Sequence, residues 1–296
     1  MTARAAHAAD QIALERRAKT FPDVSRRDFV KIGAAAAALP GIPGEQKAAG
    51  AAGRVYAILG DIHANIEALR AVSDDARAQG ATHYVCVGDV VGYNAAPAEC
   101  IRMVRDELKC QVVRGDHDHY VSHPDGNLAD LHPDAARAAE WTRRQLADED
   151  ARWLRDLPLT KRVMNFMLVH ATLDMPDRWG GVLDDLQAEA SFCFQYMQFC
   201  FHGHTHVPIV YANTPGGAVH REPRDFTYEF GQKLFINVGS VGQPCDGDPR
   251  ASYVLFDLAA RRIRFRRLAY DVAAAQARIR AAGLPERCAK RLELGR

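Results

Sequence analysis

Seven side chains of metal-ligand type stand in short clusters between residues 61 and 206: Asp61 and His63, Asp89, Asp116, His170, and His204 with His206. Carboxylates and imidazoles are the groups that hold hard and borderline divalent cations. Asp61 and His63 lie two residues apart, so on an extended turn both face one ion from one side. His204 and His206 repeat that spacing on a second loop. A carboxylate such as Asp89 can bridge two cations ~3.5–4 Å apart, and such a pair activates water to hydroxide and clamps phosphoryl oxygens during in-line displacement. His117, beside Asp116, is placed to reach a developing oxyanion or a leaving group. Asp118 is expected to fix its tautomer. Each residue alone has a plainer reading: Gly88-Asp89 as a turn, His170 as a core histidine. Their succession in one chain points to two-metal hydrolysis of a phosphoester.

Such a site needs elements that end where the ligands begin. Apolar runs predict strands over 55–59, 83–87 and 111–114, which end at Gly60-Asp61, Gly88-Asp89 and Gly115-Asp116. Helical spacing fills 64–79 and 97–109. A β-α-β-α-β order implies parallel strands with right-handed crossovers, and open α/β sheets bind ligands at the carboxyl ends of such strands. Residues 119–158 read as helical and polar, with 133–147 the clearest helix. A strand over 162–169 ends at His170. A helix over 183–197 and a strand over 199–201 lead into Gly203-His204-Thr205-His206. From residue 209 the pattern becomes β-rich (209–211, 234–238, 253–256, 263–268), and helices over 271–282 and 285–292 close the chain. The expected fold is α/β: one domain over 54–296, with two face-to-face β-sheets flanked by helices.

The formal net charge of +1 hides an asymmetry: residues 1–53 carry +3, residues 259–296 carry +8, and the body between carries −10. An acidic body suits metal-binding carboxylates. The arginines of 261–267 read as one face of a strand, so no stable nucleic-acid complex is expected. Seven cysteines without a C-x-x-C pair argue against a disulfide framework and against a cysteine zinc site. No H-E-x-x-H helix supports a metallopeptidase. His83, His119, His123, His132, His202 and His220 are read as surface residues or as supports behind the ligands, His202 being the most ambiguous.

Ser25-Arg26-Arg27-Asp28-Phe29-Val30-Lys31 resembles a twin-arginine export signal. Seven basic and four acidic groups precede an apolar run ending near Leu39, which is too short to span a bilayer. Small residues over 48–53 offer cleavage. Residues 1–53 are therefore read as signal and linker. The twin-arginine export machinery is the expected partner and the mature chain is expected outside the cytoplasm, without a transmembrane helix; residence in the cytoplasm is the alternative.

The clusters, taken with Gly88-Asp89-Val90-Val91-Gly92-Tyr93, Asn237-Val238-Gly239-Ser240-Val241-Gly242-Gln243-Pro244, Asp246 to Tyr253 and Tyr270-Asp271, resemble the calcineurin-like metallophosphoesterase superfamily. Within it the chain is similar to bacterial predicted phosphodiesterases. The resemblance implies that Asp61, His63 and His206 hold one metal, that Asp89 bridges, and that Asp116, His170 and His204 hold the second. It further implies that His117 stabilises the transition state or protonates the leaving group, with Gly239 and Ser240 shaping the site. Two divalent ions (Mn, Fe, Zn, Ni or Co) are implied, with a small phosphoester, nucleotide-like among the candidates, as substrate. The activity implied is that of a phosphodiesterase or phosphatase; a non-catalytic metal-bound scaffold is the alternative. The chain departs from the family pattern at Asp116, where the family has Asn, and at Asn94, Val238 and Cys245, where its branch has Gly, Pro and Arg. Trp179 is read either as a stacking surface for a base or as packing for its own loop.

Overall fold

The computed structural model describes residues 53–124 and 126–296. The export signal read in the sequence lies outside the described residues.

Side chains alternate along β1 (Val55–Leu59): Tyr56 and Ile58 face one way, Ala57 and Leu59 the other, and both sets are buried. A strand with two apolar faces must lie between two layers. One sheet joins β1 to β2 (His83–Cys86), β3 (Gln111–Val112), β11 (Ala251–Asp257), β12 (Arg262–Leu268) and β9 (Phe226–Thr227), in the order β3-β2-β1-β11-β12-β9. The second joins β4 (Thr160–Val163), β5 (Phe166–Val169), β6 (Phe199–His202), β7 (Ile209–Thr214), β8 (Gly217–Arg221) and β10 (Leu234–Asn237), in the order β4-β5-β6-β10-β7-β8. The expected pair of face-to-face sheets is what forms.

Between the sheets, Tyr56, Ile58, Val85 and Phe256 meet Phe166, Phe201, Val210 and Ile236. Phe166 and Phe256 cross edge to face, with ring centroids 5.6 Å apart. Ala57, Leu59 and Leu255 face outward onto α1 (Ile66–Ala78) and α2 (Pro97–Arg102). Tyr211 and Phe235 of the second sheet face α6 (Asp185–Phe194). The remaining helices are α3 (Asp116–Ser122), α4 (Pro133–Gln145), α5 (Asp148–Asp156), α7 (Val272–Ala281) and α8 (Glu286–Leu294). No described helix is long and apolar enough to cross a membrane.

The topology explains where the ligands go. β1, β2 and β3 run parallel in the first sheet, and β5, β6 and β10 run parallel in the second. The loops leaving these six strands carry Asp61, Asp89, Asp116, His170, His204 and Gly239 in turn.

Several elements differ from the reading of the sequence. The strand expected over 162–169 is a hairpin, because Met164 takes a left-handed backbone (φ 50°) and Val163 pairs back onto Phe166. The helix expected over 97–109 widens after Arg102 into a π turn over Met103–Glu107, where Leu108 N–H reaches Met103 O at 2.8 Å. β8 and β9 were not foreseen. They lie at sheet edges with several exposed side chains, so their apolar pattern is weak.

Candidate metal centre

The structure brings all seven expected ligands together. Asp61, His63, Asp89 and His206 form one group, and Asp116, His170 and His204 form another. His117 joins Asp89 and Asp116 in a third, overlapping cluster. Asp61, His63 and His170 are wholly buried, while the His204 side chain is 12% and that of His206 9% exposed. The site therefore opens on the side of the second ligand loop.

Five of these residues sit on strained backbone. Asp61 (φ 50°), His63 (φ 48°), Asp89 (φ 53°), His204 (φ 69°) and His206 (φ 61°) are all left-handed. Each such residue costs about 1–2 kcal/mol relative to ordinary geometry, and such strain concentrates at functional sites. Hydrogen bonds between loops hold it. Asp61 N–H donates to Gly88 O (3.0 Å), His63 N–H to Asp89 O (2.9 Å) and Gly242 N–H to Asp61 O (3.0 Å). The Ser240 hydroxyl also donates to Asp61 O (2.7 Å). Asn94 Nδ2 donates to His63 O (2.8 Å), and Asn237 Nδ2 to Gly203 O (2.7 Å).

Two glycines make the crowding possible. A Cβ on Gly203 would lie 2.2 Å from Asp61 Oδ2, and one on Gly115 would lie 2.1 Å from Asp89 Oδ1. A carboxylate from one loop occupies the space where a side chain would stand on another.

The histidines are oriented from behind. His63 Nδ1 lies 3.2 Å from Val91 O, His170 Nδ1 lies 2.9 Å from Val87 O, and His206 Nδ1 lies 2.7 Å from Gln243 O. A carbonyl only accepts, so each Nδ1 carries the proton and each Nε2 turns into the site. That is the tautomer a metal ligand requires. Burial would lower His170, but Asp89 and then Asp116 hold it well above the ordinary imidazole range, while the neutral rings of His63 and His206 present an Nε2 lone pair. In the first group two such lone pairs meet, with His63 Nε2 and His206 Nε2 3.0 Å apart. Burial, and then the neighbouring His206, hold His63 well below the ordinary imidazole range. Burial and then Arg291 push His206 down to about 3. Two facing lone pairs on neutral rings leave a space that suits a cation. The donor set fits a divalent metal, and each group supplies both nitrogen and oxygen donors.

The carboxylates are equally crowded. Burial pushes Asp61 well above the usual carboxylate range; His170 opposes this and Asp89 adds to it. Asp116 lies 3.1 Å from both His170 Nε2 and His204 Nδ1. Burial alone would raise its carboxyl, but His204 and His170 hold it well below the ordinary range.

His117 lies at the edge of both groups. Its ring centroid is 4.4 Å from Tyr93 and 4.9 Å from His63. Its Nδ1 is buried with no hydrogen-bond partner among the described residues. Asp118 corrects an expectation: its carboxylate does not turn to His117. Oδ1 accepts from Val90 N–H (2.9 Å) and Val91 N–H (3.2 Å), and Oδ2 from Gly115 N–H (3.1 Å). Asp118 thereby ties the Asp89 loop to the start of α3. Burial and then Asp89 push its carboxyl up to about 7.

Of the other histidines, His202 is buried and stacked on Phe235 (4.0 Å, 8°), on the face of the second sheet turned towards α6. Trp179 is 6% exposed and lies 6.1 Å from His170 and 5.8 Å from His119. It packs as a wall beside the second group and offers no open face for a base. Tyr93 and Gln243 were missed as site residues, although both sit inside motifs that the sequence made conspicuous.

Residues 55–261 match the family model described as the calcineurin-like phosphoesterase superfamily domain. The chain belongs to this superfamily. It is 36% identical, over 246 residues, to an uncharacterised protein of Methanocaldococcus jannaschii, a match covering 82% of this chain and 98% of that one. The crystal structure of a metallophosphoesterase from Sphaerobacter thermophilus is similar at 34% identity with a TM-score of 0.73, covering 82% of this chain and 99% of the other. A hypothetical protein from Pyrococcus horikoshii shares the fold at 20% identity and a TM-score of 0.66, over 82% of this chain and 98% of its own.

Asp118→Ala strands three backbone N–H groups, each worth about 1–3 kcal/mol when buried and unmet. The variant is expected to lose at least about 3 kcal/mol in urea unfolding; a loss under about 1 kcal/mol would remove the clamp from the argument.

Proposed function

We propose that this chain is a two-metal phosphoesterase that hydrolyses phosphodiesters, and that its described domain, from residue 54 onward, is the whole catalytic unit. The facing lone pairs of His63 and His206 carry the reading, because neutral rings at that separation call for a cation between them. Asp61, His63 and His206 would hold one ion, Asp116, His170 and His204 the other, with Asp89 between them. Bound there, divalent ions would supply an activated water near neutral pH and charge neutralisation for a phosphoryl group. Mn, Fe, Zn, Ni and Co all suit these ligands.

The chain's own residues supply the rest. Asp118 keeps the Asp89 loop in register with α3. Gly115 and Gly203 let the carboxylates approach without a clash. His117 offers a ring nitrogen in one cluster with Asp89 and Asp116, where it would hydrogen-bond a phosphoryl oxygen or hand a proton to a leaving alkoxide. A purely structural metal scaffold has no use for such a nitrogen, which favours the enzyme over the scaffold. Twin-arginine export would set the natural substrate outside the cytoplasm, where nucleotides and lipid head groups supply phosphoesters.

Protein purified without chelators is expected to carry about two transition ions per chain and to cleave bis(4-nitrophenyl) phosphate faster than 4-nitrophenyl phosphate in Mn²⁺. Elemental analysis that finds no ion, with none taken up on reconstitution, would sink the proposal. His117→Ala should keep its metal and lose about 100-fold or more in turnover, the range of general acid–base catalysis; unchanged turnover would leave the residue without the role. With Asp116 ionised, three carboxylates face two divalent cations, so Asp116→Asn at equal metal loading is expected to raise turnover several-fold. A fall would count against the charge argument. The double variant Arg26→Lys, Arg27→Lys should hold the protein in the cytoplasmic fraction, and undiminished export would refute the signal.

A further inference from the structure

We propose that the C-terminal helix α8 is a working part of the metal centre, with Arg291 acting as a positioning residue for His206. This rests on the two-metal reading above. The family match ends at residue 261, well before α8 begins at Glu286. Even so, α8 reaches back to the loop after β10 at two points. Its end docks where Gly247 N–H donates to Gly295 O (2.9 Å), so closely that a Cβ on Gly295 (φ 61°) would lie 2.7 Å from the Asp248 backbone.

The second point is Arg291. With the Gln243 amide oxygen turned toward it, the three guanidinium nitrogens lie 3.0–3.1 Å from that oxygen, which places it against the positive face of the guanidinium. Arg291 Nη2 also lies 3.5 Å from Cys245 Sγ, and the guanidinium sits 5.6 Å from the centroid of the Tyr93 ring. Gln243 is the residue whose main-chain carbonyl receives His206 Nδ1 at 2.7 Å. Its N–H donates to Ser240 Oγ (2.8 Å), whose hydroxyl donates to Asp61 O (2.7 Å). One buried residue thus holds the backs of two ligands in the first group, and Arg291 holds that residue. Partners at this remove from a metal typically change affinity 10–100-fold when lost.

The anchoring of α8 does not depend on Arg291. Cys288, Ala289 and Leu292 pack with Ala275 and Ile279 of α7 and with Ala138 of α4. Arg291→Gln should therefore leave the helix packed while releasing Gln243, together with the lesser contacts to Cys245 Sγ, Tyr93 and Arg296 O.

A metal-binding double-mutant cycle provides the test, read by Mn²⁺ calorimetry on the full chain. Wild type is expected to take up two ions. Arg291→Gln should keep one at wild-type affinity and weaken the other about tenfold or more. In a His204→Ala background, which leaves the Asp61/His63/His206 position, Arg291→Gln should weaken the remaining ion by the same factor. In a His206→Ala background it should change nothing, because the position it supports is already broken. Arg291→Lys should stay weak, since a compact ammonium has no planar face to cover the amide as the guanidinium does. Should Arg291→Gln fail to fold, Gln243→Met breaks the same contact from the other side and should give the same cycle. Equal effects in both backgrounds, or no effect in either, would overturn the inference while leaving the two-metal reading intact. A wild type that binds no ion would instead overturn that reading.

Discussion

Like charge, confined, is the constraint on which this structure turns. Asp61, Asp89, Asp116 and Asp118 are all within 5% of complete burial and lie around one pocket. Buried carboxylates cost several kcal/mol each unless they are paired or hydrogen-bonded. Asp118 meets the requirement with three backbone amides, and Asp116 with His170 and His204. Asp61 takes one forked hydrogen bond from His204 N–H, 3.0 Å to Oδ1 and 3.2 Å to Oδ2, and burial still drives its carboxyl upward. The uncompensated remainder lies beside the facing nitrogens of His63 and His206. A bound cation would relieve the carboxylate crowding and the lone-pair contact together.

Meeting that constraint dictates the irregular parts of the fold. A regular strand carries residues two apart on one face, so continuing β1 would leave Asp61 and His63 together but in line with Ala57 and Leu59, against the helix layer and away from the second sheet. The chain leaves β1 through left-handed residues instead. The resulting strain is distributed: the Asp61 turn leans on Gly88 and Gly242, the His63 turn on Asp89 and Asn94, and the His204 loop on Asp61 itself. Each loop is the support of another, so none can adopt this shape alone. The two sheets make this possible by bringing the carboxyl ends of three parallel strands from each side to one edge.

That interdependence separates what the sequence could disclose from what it could not. The ligands were legible because ligand types are uncommon after apolar runs, and because D-x-H and H-x-H spacings are local. The two-sheet fold was legible because both faces of β1 and β5 are apolar. The hairpin at Met164 was not, since a left-handed methionine leaves no mark in composition. Asp118 was misassigned for a similar reason: adjacency to His117 suggested contact, whereas the first turn of α3 points its carboxylate back at the Asp89 loop. Arg291 lay beyond reach altogether, 46 residues from Cys245, among the many basic residues of 259–296 with nothing to single it out.

The two halves of the centre carry opposite electrostatic corrections, and this follows from where those unforeseen residues stand. Asp116 adds negative charge to the half that holds His170 and His204, strengthening its hold on a cation and weakening its pull on an anion. Arg291 stands behind the other half, where its field lowers the basicity of His206 while its contact with Gln243 fixes that ring in place. Coulomb's law makes a unit charge at such distances worth about 1–4 kcal/mol at the dielectric of a protein edge, enough to separate two otherwise similar positions. On the two-metal reading, an ion in the Asp116 half would be held chiefly by charge, and one in the His206 half chiefly by geometry, set by loops that the C-terminal helix braces. The same chemistry of ligands, placed on two sheets and corrected from two directions, would yield a pair of inequivalent positions.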